Sequence, residues 1–239
     1  MYKRQDVEGD VFITKCNSAG NLLWAKQLGG LLSDYSTSID VDAVGNVYTA
    51  GSFEGTADFD PGAGTFNLTA SSSNSDIFVS KLNSSGIFVW AKRLGTTTVE
   101  DVYSIALDAS GNLFTAGGYF PGTNSFQIYL DKLDPAGNLI WSKTYGGPNA
   151  ERAYSIEADP SGNIYFTGIF SGTVDFDPGP GVFNMTAVGT DVFVSKLDGS
   201  GNFLWATHFG GPGYINVNSI ALNASGTICI TGTLSLIHI

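Results

Sequence analysis

The stretch Ser38-Ile-Asp-Val-Asp42-Ala-Val-Gly45-Asn46-Val-Tyr-Thr-Ala-Gly51 decides the fold, because it comes back three more times, at residues 104–117, 155–168 and 219–232. Its two ends are rich in β-branched and aromatic residues, the composition of a strand. Its middle joins an Asp, whose side chain accepts from backbone amides, through two permissive residues to a Gly that supplies a positive φ. The stretch therefore reads as strand, tight turn, strand. A second motif alternates with it: Asp10-Val-Phe-Ile-Thr-Lys15, Asn17-Ser-Ala-Gly20-Asn21, Leu-Leu-Trp24-Ala-Lys26 and then Gly29-Gly30. This one returns around Trp90, Trp141 and Trp205. The tryptophans are spaced by 66, 51 and 64 residues, and Asp42, Asp108, Asp159 and Asn223 repeat those intervals, so two landmarks define one repeating unit.

Each unit holds four short strand-like runs joined by turns. No glycine-free window of ten residues shows apolar positions at helical spacing, so helices are expected to contribute little. The strands lack clean polar alternation, which points to sheets buried on both faces. Of the 239 residues 43% are hydrophobic and only 14% charged, a balance that excludes a disordered chain. The expected architecture is all-β: a β-propeller of four-stranded antiparallel blades, with tandem β-sandwich modules as the alternative. Full blades are expected at about 35–95, 101–146 and 152–210, flanked by complementary half blades at 10–29 and 216–233, within a repeat segment covering 6–233. Pairing of the halves would complete a fourth blade; a segment cut from a larger ring explains the same pattern. Residues 1–5 and 234–239 look like translated adapter sequence and are expected to be non-native ends.

The units built on Lys-Leu-Asp-x-x-Gly-Asn-x-x-Trp, Ser-Ile-x-x-Asp-x-x-Gly-Asn-x-Tyr-x-x-Gly and Asp-Phe-Asp-Pro-Gly resemble the bacterial SBBP-type β-propeller repeat. The resemblance covers roughly residues 6–233. It implies an extracellular or cell-surface protein of many such repeats, with neighbouring blades of a longer parent chain as partners. It does not imply an activity, since propellers host binders, enzymes and scaffolds alike. The middle unit departs from the pattern: Phe120-Pro-Gly-Thr-Asn124 replaces the longer insertion of the other units.

Two long insertions, Glu54 to Ser75 and Ser171 to Thr190, fall on the face opposite the Asp/Asn-x-x-Gly hairpins, which makes that face the expected ligand surface. They contain Asp58-Phe-Asp60-Pro-Gly62 and Asp175-Phe-Asp177-Pro-Gly179. Asp58, Asp60, Asp175 and Asp177 are the candidate metal ligands, since carboxylates two residues apart suit calcium. Turn geometry is the preferred reading, because Asp-Pro-Gly is itself a turn sequence and the flanks 56–59 and 65–70 look like an added hairpin. No other cofactor is expected. The recurring tryptophans are read as packing between blades rather than a sugar platform. Lys15, Lys81, Lys132 and Lys196 are expected to salt-link Asp10, Asp76 and Asp191 or to lie along apolar surface.

A catalytic site is not expected. His208 takes the place of Gln27, Arg93 and Thr144, so it reads as a variable strand position, and no Gly-x-Ser-x-Gly elbow occurs. Cys16 and Cys229 take the places of leucines and aromatics and are expected to be buried. The net charge of −11 opposes a nucleic-acid partner, and no apolar run reaches membrane-spanning length. The function expected is therefore structural or adhesive recognition of a protein or carbohydrate. The alternative is an enzyme, a polysaccharide lyase or hydrolase, with active carboxylates in the channel or in other blades.

Overall fold

A computed structural model describes residues 9–71, 75–95, 99–122, 125–147, 149–223 and 225–235. Of the suspected non-native ends, only Leu234 and Ser235 lie among them, and Leu234 is paired with Ile215 in strand register. The described residues form strands and turns with no helix. The chain divides into two compact units, Met1–Val102 and Tyr103–Ile239.

In the first unit, β1 (Val11–Cys16), β2 (Leu22–Gly30), β3 (Asp34–Val41), β4 (Val47–Phe53), β5 (Thr56–Asp58), β6 (Asn67–Thr69), β7 (Asp76–Leu82) and β8 (Phe88–Leu94) make two sheets. One has the order β3-β4-β7-β8 and the other β1-β2-β5-β6. Next come β9 (Val99–Leu107), β10 (Leu113–Phe120), β11 (Gln127–Leu133) and β12 (Leu139–Tyr145), then β13 (Arg152–Ala158), β14 (Ile164–Asp175), β15 (Asn184–Leu197) and β16 (Phe203–Gly210). Each group of four is one sheet in chain order. The final pair, β17 (Ile215–Leu222) and β18 (Ile228–Leu234), stands as a two-stranded sheet. This is a propeller-like repeat of antiparallel four-stranded sheets, and no sheet among the described residues closes on itself.

The turns form as their composition dictates. In the first, Asp42 Oδ1 accepts from Val44 N at 3.1 Å and Asn46 N at 2.8 Å, while Gly45 N donates to the Asp42 carbonyl at 2.9 Å. Asp108, Asp134, Asp159 and Asp198 repeat the arrangement, and so do Asn17 and Asn83. Two irregularities then recur among the sheets. The register of the fourth strand slips at Leu23, Val89, Ile140 and Leu204, just before each Trp, a bulge that brings the indole opposite the Lys of the third strand. The first strand slips at Thr37 and Tyr154, pushing the carbonyls of Tyr35 and Arg152 to within 1.8 Å of where a Cβ on Gly51 or Gly168 would stand. Only Gly fits there, which accounts for the last residue of the repeat motif.

The tryptophans join one sheet to the next. Trp24 Nε1 and Lys15 Nζ both donate to the Ser84 carbonyl, at 3.3 and 3.0 Å, in the last turn of the following sheet. Trp141 Nε1 and Lys132 Nζ do the same to Gly199, at 3.3 and 2.8 Å. Each indole lies against the Gly that closes that turn; a Cβ on Gly201 would sit 3.3 Å from the Trp141 ring, and φ there is +80°. Within their own sheets three of the four tryptophans meet the aromatic of the second strand: Tyr48–Trp90, Phe114–Trp141 and Tyr165–Trp205 lie 6.0, 6.0 and 6.3 Å apart. The expectation of inter-sheet packing holds for Trp24 and Trp141.

The expected burial of the two cysteines fails. Cys16 and Cys229 are exposed, whereas the counterparts of Cys16, namely Leu82, Leu133 and Leu197, are fully buried. The reason is positional: β1 has no strand beyond it in its sheet and β18 pairs only with β17, so neither cysteine is covered as its counterparts are.

Replacing Trp141 by Phe should remove one hydrogen bond and cost about 1 kcal/mol, whereas Ala in its place should cost about 3–5 kcal/mol in chemical denaturation of the second unit. Gly201→Ala should cost at least about 1 kcal/mol, since it strains the turn and presses on the same ring.

Candidate functional site

The two insertions were the expected ligand loops, and the structure gives them another form. In the first, β5 and β6 pair as the expected hairpin, through Thr56↔Thr69, Ala57↔Leu68 and Asp58↔Asn67. Rather than projecting, it folds back: β5 pairs with the end of β2 through Gly29↔Asp58 and Gly30↔Ala57. The hairpin thereby extends the β1-β2 sheet and packs its apolar side on the next one. Phe59 is fully buried, 5.4 Å from Phe53 and 4.8 Å from Phe78, and Phe66 lies 4.8 Å from Phe88. In the second insertion β14 and β15 simply run on, with Thr173↔Thr186 to Asp175↔Asn184 forming the same hairpin. Phe176 is buried at 5.2 Å from Phe170 and 4.9 Å from Phe193, and Phe183 lies 4.8 Å from Phe203. Sequence reasoning located the hairpins and missed their docking, because the partner of β5 lies 27 residues upstream and only tertiary pairing reveals it.

The four candidate carboxylates have clear local duties. Asp58 Oδ1 accepts from the amides of Asp60 and Phe66, both at 2.9 Å, and Asp60 Oδ1 from Gly62 N at 2.7 Å. Asp175 does the same for Asp177 and Phe183, at 3.0 and 2.8 Å, and Asp177 for Gly179, at 2.7 Å. These bonds close the turn of each hairpin, the reading preferred from sequence. Among the described residues, no group of three or more His, Cys, Asp or Glu is placed to hold a metal ion.

Of the two expectations for the lysines, contact with apolar surface is the one the structure shows, while Asp76 and Asp191 take other partners. Lys81, Lys132 and Lys196 stand over the rings of Tyr48, Phe114 and Tyr165, at 4.6, 5.0 and 4.5 Å. Lys132 and Lys196 also approach Asp108 and Asp159, each at 3.9 Å. The carboxylates assigned to them are taken instead by the fourth strand: Asp10 by Gln27, Asp76 by Arg93 at 2.9 Å and Asp191 by His208 at 2.8 Å. His208 is thus one version of a recurring carboxylate partner rather than a free imidazole.

Sequence reasoning also missed the acidic residue that opens the first strand of each complete sheet. Asp34, Glu100 and Glu151 are all buried. Asp34 Oδ2 accepts from Gly30 N at 2.7 Å, and Glu151 Oε2 from Gly147 N at 3.1 Å. Burial pushes Asp34 up to about 6, with the nearby Asp10 adding to it and the Gly30 bond opposing it. Burial pushes Glu151 up to about 7 against the amides of Gly147 and Ser171. The turn aspartates move the other way. Partial burial opposes it, yet hydrogen bonds from Asn46 to Asp42, and from Asn163 to Asp159, hold both below the ordinary carboxylate range. Raised carboxylates often mark functional sites. Here Glu151 is 0% exposed and holds the Gly147 amide, a part of the packing of the corner.

Residues 23–52 match the family model of the SBBP beta-propeller repeat, in agreement with the resemblance read from the motifs. A 131-residue stretch is 27% identical to the uncharacterized WD repeat-containing protein L264 of Acanthamoeba polyphaga mimivirus, covering 49% of this chain and 9% of that protein. A 110-residue stretch is 31% identical to the regulatory protein FlaEY of Caulobacter vibrioides, covering 46% of this chain and 11% of that one. The matches thus span about a tenth of each relative. Among solved structures, a protein of unknown function from Bacteroides caccae aligns with 80% of this chain and 87% of its own, at 11% identity and a TM-score of 0.30, too low to establish a shared fold.

A carboxyl whose folded value exceeds its unfolded one stabilises most below the unfolded value, and that contribution is lost as pH rises through the folded value. For Glu151 the window runs from 4.5 to about 7. Glu151→Gln should therefore raise the melting temperature at pH 8, leave it nearly unchanged at pH 4 and flatten the slope between, with an upper bound of about 3 kcal/mol. Asp175→Ala frees two amides and should lower the stability of the second unit by about 1–3 kcal/mol in denaturant titration.

Proposed function

We propose that the chain is a non-catalytic recognition segment of a secreted or cell-surface bacterial protein, a repeat-type interaction domain that contacts protein or carbohydrate through the tips of its insertions. The observation that carries the reading is the contrast between constant and variable positions in the two hairpins. Asp58-Phe-Asp-Pro-Gly62 and Asp175-Phe-Asp-Pro-Gly179 are identical, and their side chains close the turn and fill the core. The tips differ, Ala63-Gly-Thr65 against Pro180-Gly-Val182, and are exposed. Val182 is 73% exposed and adjoins the half-exposed Phe183. A fixed frame presenting changeable apolar tips suits recognition. The relatives named as a WD-repeat protein and a regulatory protein agree with an interaction role. The implied surface location rests on the repeat resemblance, as does assembly with neighbouring blades into a ring.

Screening the chain against glycan arrays and surface-protein extracts tests this. A partner found in this way should lose at least about tenfold in affinity to Val182→Asp, a substitution at an exposed tip that leaves the thermal transition in place. Undiminished binding by that variant would refute the insertion tips as the contact surface, and turnover of a bound glycan would refute the non-catalytic reading.

A further inference from the structure

Two corners of the second unit occupy equivalent places in the repeat and are filled differently. In the one between the β9–β12 sheet and the β13–β16 sheet, the Arg152 guanidinium stands over the Phe126 ring at 4.0 Å. The Arg152 stem needs Gly118 beneath it, since a Cβ there would come within 3.2 Å of Arg152 Cγ. The repeat carries Phe126 and Arg152 forward by 64 residues to Thr190 and Asn216, Glu151 to Ile215, and Gly118 by 51 residues to Ile169. A short amide thus replaces the guanidinium, a threonine replaces the phenyl ring, and both charges disappear.

In this second corner, between the β13–β16 sheet and the segment that leads into β17, lies a cleft of about 370 Å³. Its walls include Tyr154, Ile169, Thr190, Pro212, Tyr214 and Asn216. The cleft owes its room to side chains, because Thr190 and Asn216 stand where Phe126 and Arg152 fill the earlier corner. Its volume is that of a small-molecule site, about 300–1,000 Å³. Tyr154 is braced by Tyr103, with ring centroids 5.1 Å apart, and Tyr214 is 65% exposed. Asn216 Oδ1 accepts from Val217 N at 3.0 Å, which leaves Nδ2 to donate. Thr190 Oγ1 lies 3.2 Å from Ser171 Oγ. No charged side chain among the described residues lines the cleft, in a chain whose net charge is −11.

We propose that this cleft binds one neutral sugar residue of a glycan. The tyrosine rings, Ile169 and Pro212 offer apolar surface to the C–H face of a pyranose, while the phenol hydroxyls, Thr190 and the Asn216 amide offer donors and acceptors to its hydroxyls. A wholly apolar ligand would leave those polar groups unpaired, and an ionised one would enter without a counter-charge. The site goes beyond the contact assigned to the insertion tips: it is built from other residues and stands whether or not the tips bind.

The probes are the methyl glycosides of glucose, galactose, mannose, fucose and N-acetylglucosamine, titrated calorimetrically into the whole chain. At least one should bind saturably at one site. Tyr214→Ala changes an exposed side chain and should weaken that binding at least about tenfold. Thr190→Phe together with Asn216→Arg rebuilds the filling of the earlier corner; it should abolish binding and keep the thermal transition. Val182→Asp, at the insertion tip, should leave binding unchanged. Saturable binding by none of the glycosides would overturn the proposal, and so would binding that survives the filled cleft. Loss of binding in Val182→Asp but not in the filled cleft would assign the sugar to the tips, overturning this site while supporting that one. Equally tight binding of methyl glucuronoside, which is ionised, would overturn the preference for a neutral ring.

Discussion

Burial of both faces is the constraint on which the rest of the structure depends. All seven residues of β7 are buried, and so are six of the seven in β4. A sheet with two apolar faces has no outside, so each must be covered by a neighbour. The magnitudes say what does the work. A fully buried Phe or Leu is worth about 1.5–3 kcal/mol, while a hydrogen bond adds about 0.5–1.5 kcal/mol net. Packing between sheets therefore supplies the free energy. The Trp and Lys donors sharing one turn carbonyl contribute less, but they fix the point of contact, since that carbonyl lies in a turn whose shape the Asp or Asn side chain already dictates.

The same demand explains the insertions. The hairpin adds apolar side chains to the core between sheets, Ala57, Phe59 and Leu68 in one unit and Val174, Phe176 and Met185 in the other. The double-glycine corner then serves several partners at once. Its first glycine admits the polar side chain that heads a neighbouring strand, Asp10 against Gly29 and Gln127 against Gly146; its second admits the hairpin and donates its amide to a buried acid. Burying that acid is costly at neutral pH, and its recurrence as Asp34, Glu100 and Glu151 shows that the corner is built around it.

What the sequence made legible was whatever depends on neighbours close in the chain. The turns from Asp42 or Asp198, the strands around them and the hairpin at 56–69 follow from spacing alone, because the Asx bonds span two and four residues. Partners chosen across sheets were not legible. Lys132 has an acid nearby in the motif yet reaches Gly199, 67 residues on, and His208 looked arbitrary until Asp191 was found beside it. The exposure of Cys16 and Cys229 escaped for the same reason: the residue type argued for burial, while the places of β1 and β18 at sheet edges decided otherwise. One signal for the buried acids was present, the acid placed five residues after the glycine that ends the preceding unit, Gly29, Gly95 or Gly146, but it is visible only once the copies are aligned.

A frame of this kind limits where specificity can reside. Changing a turn Asp, a clasping Lys or Trp, or the second glycine disturbs packing between sheets, so those positions are held by stability whatever the protein binds. Freedom is left to the tips of the hairpins, where Ala63 and Thr65 exchange for Pro180 and Val182 without touching the core, and to the outer residue of the fourth strand, where Gln27, Arg93, Thr144 and His208 alternate. Variation at these exposed positions lets copies built on the same turns and inter-sheet contacts differ from unit to unit in what they present.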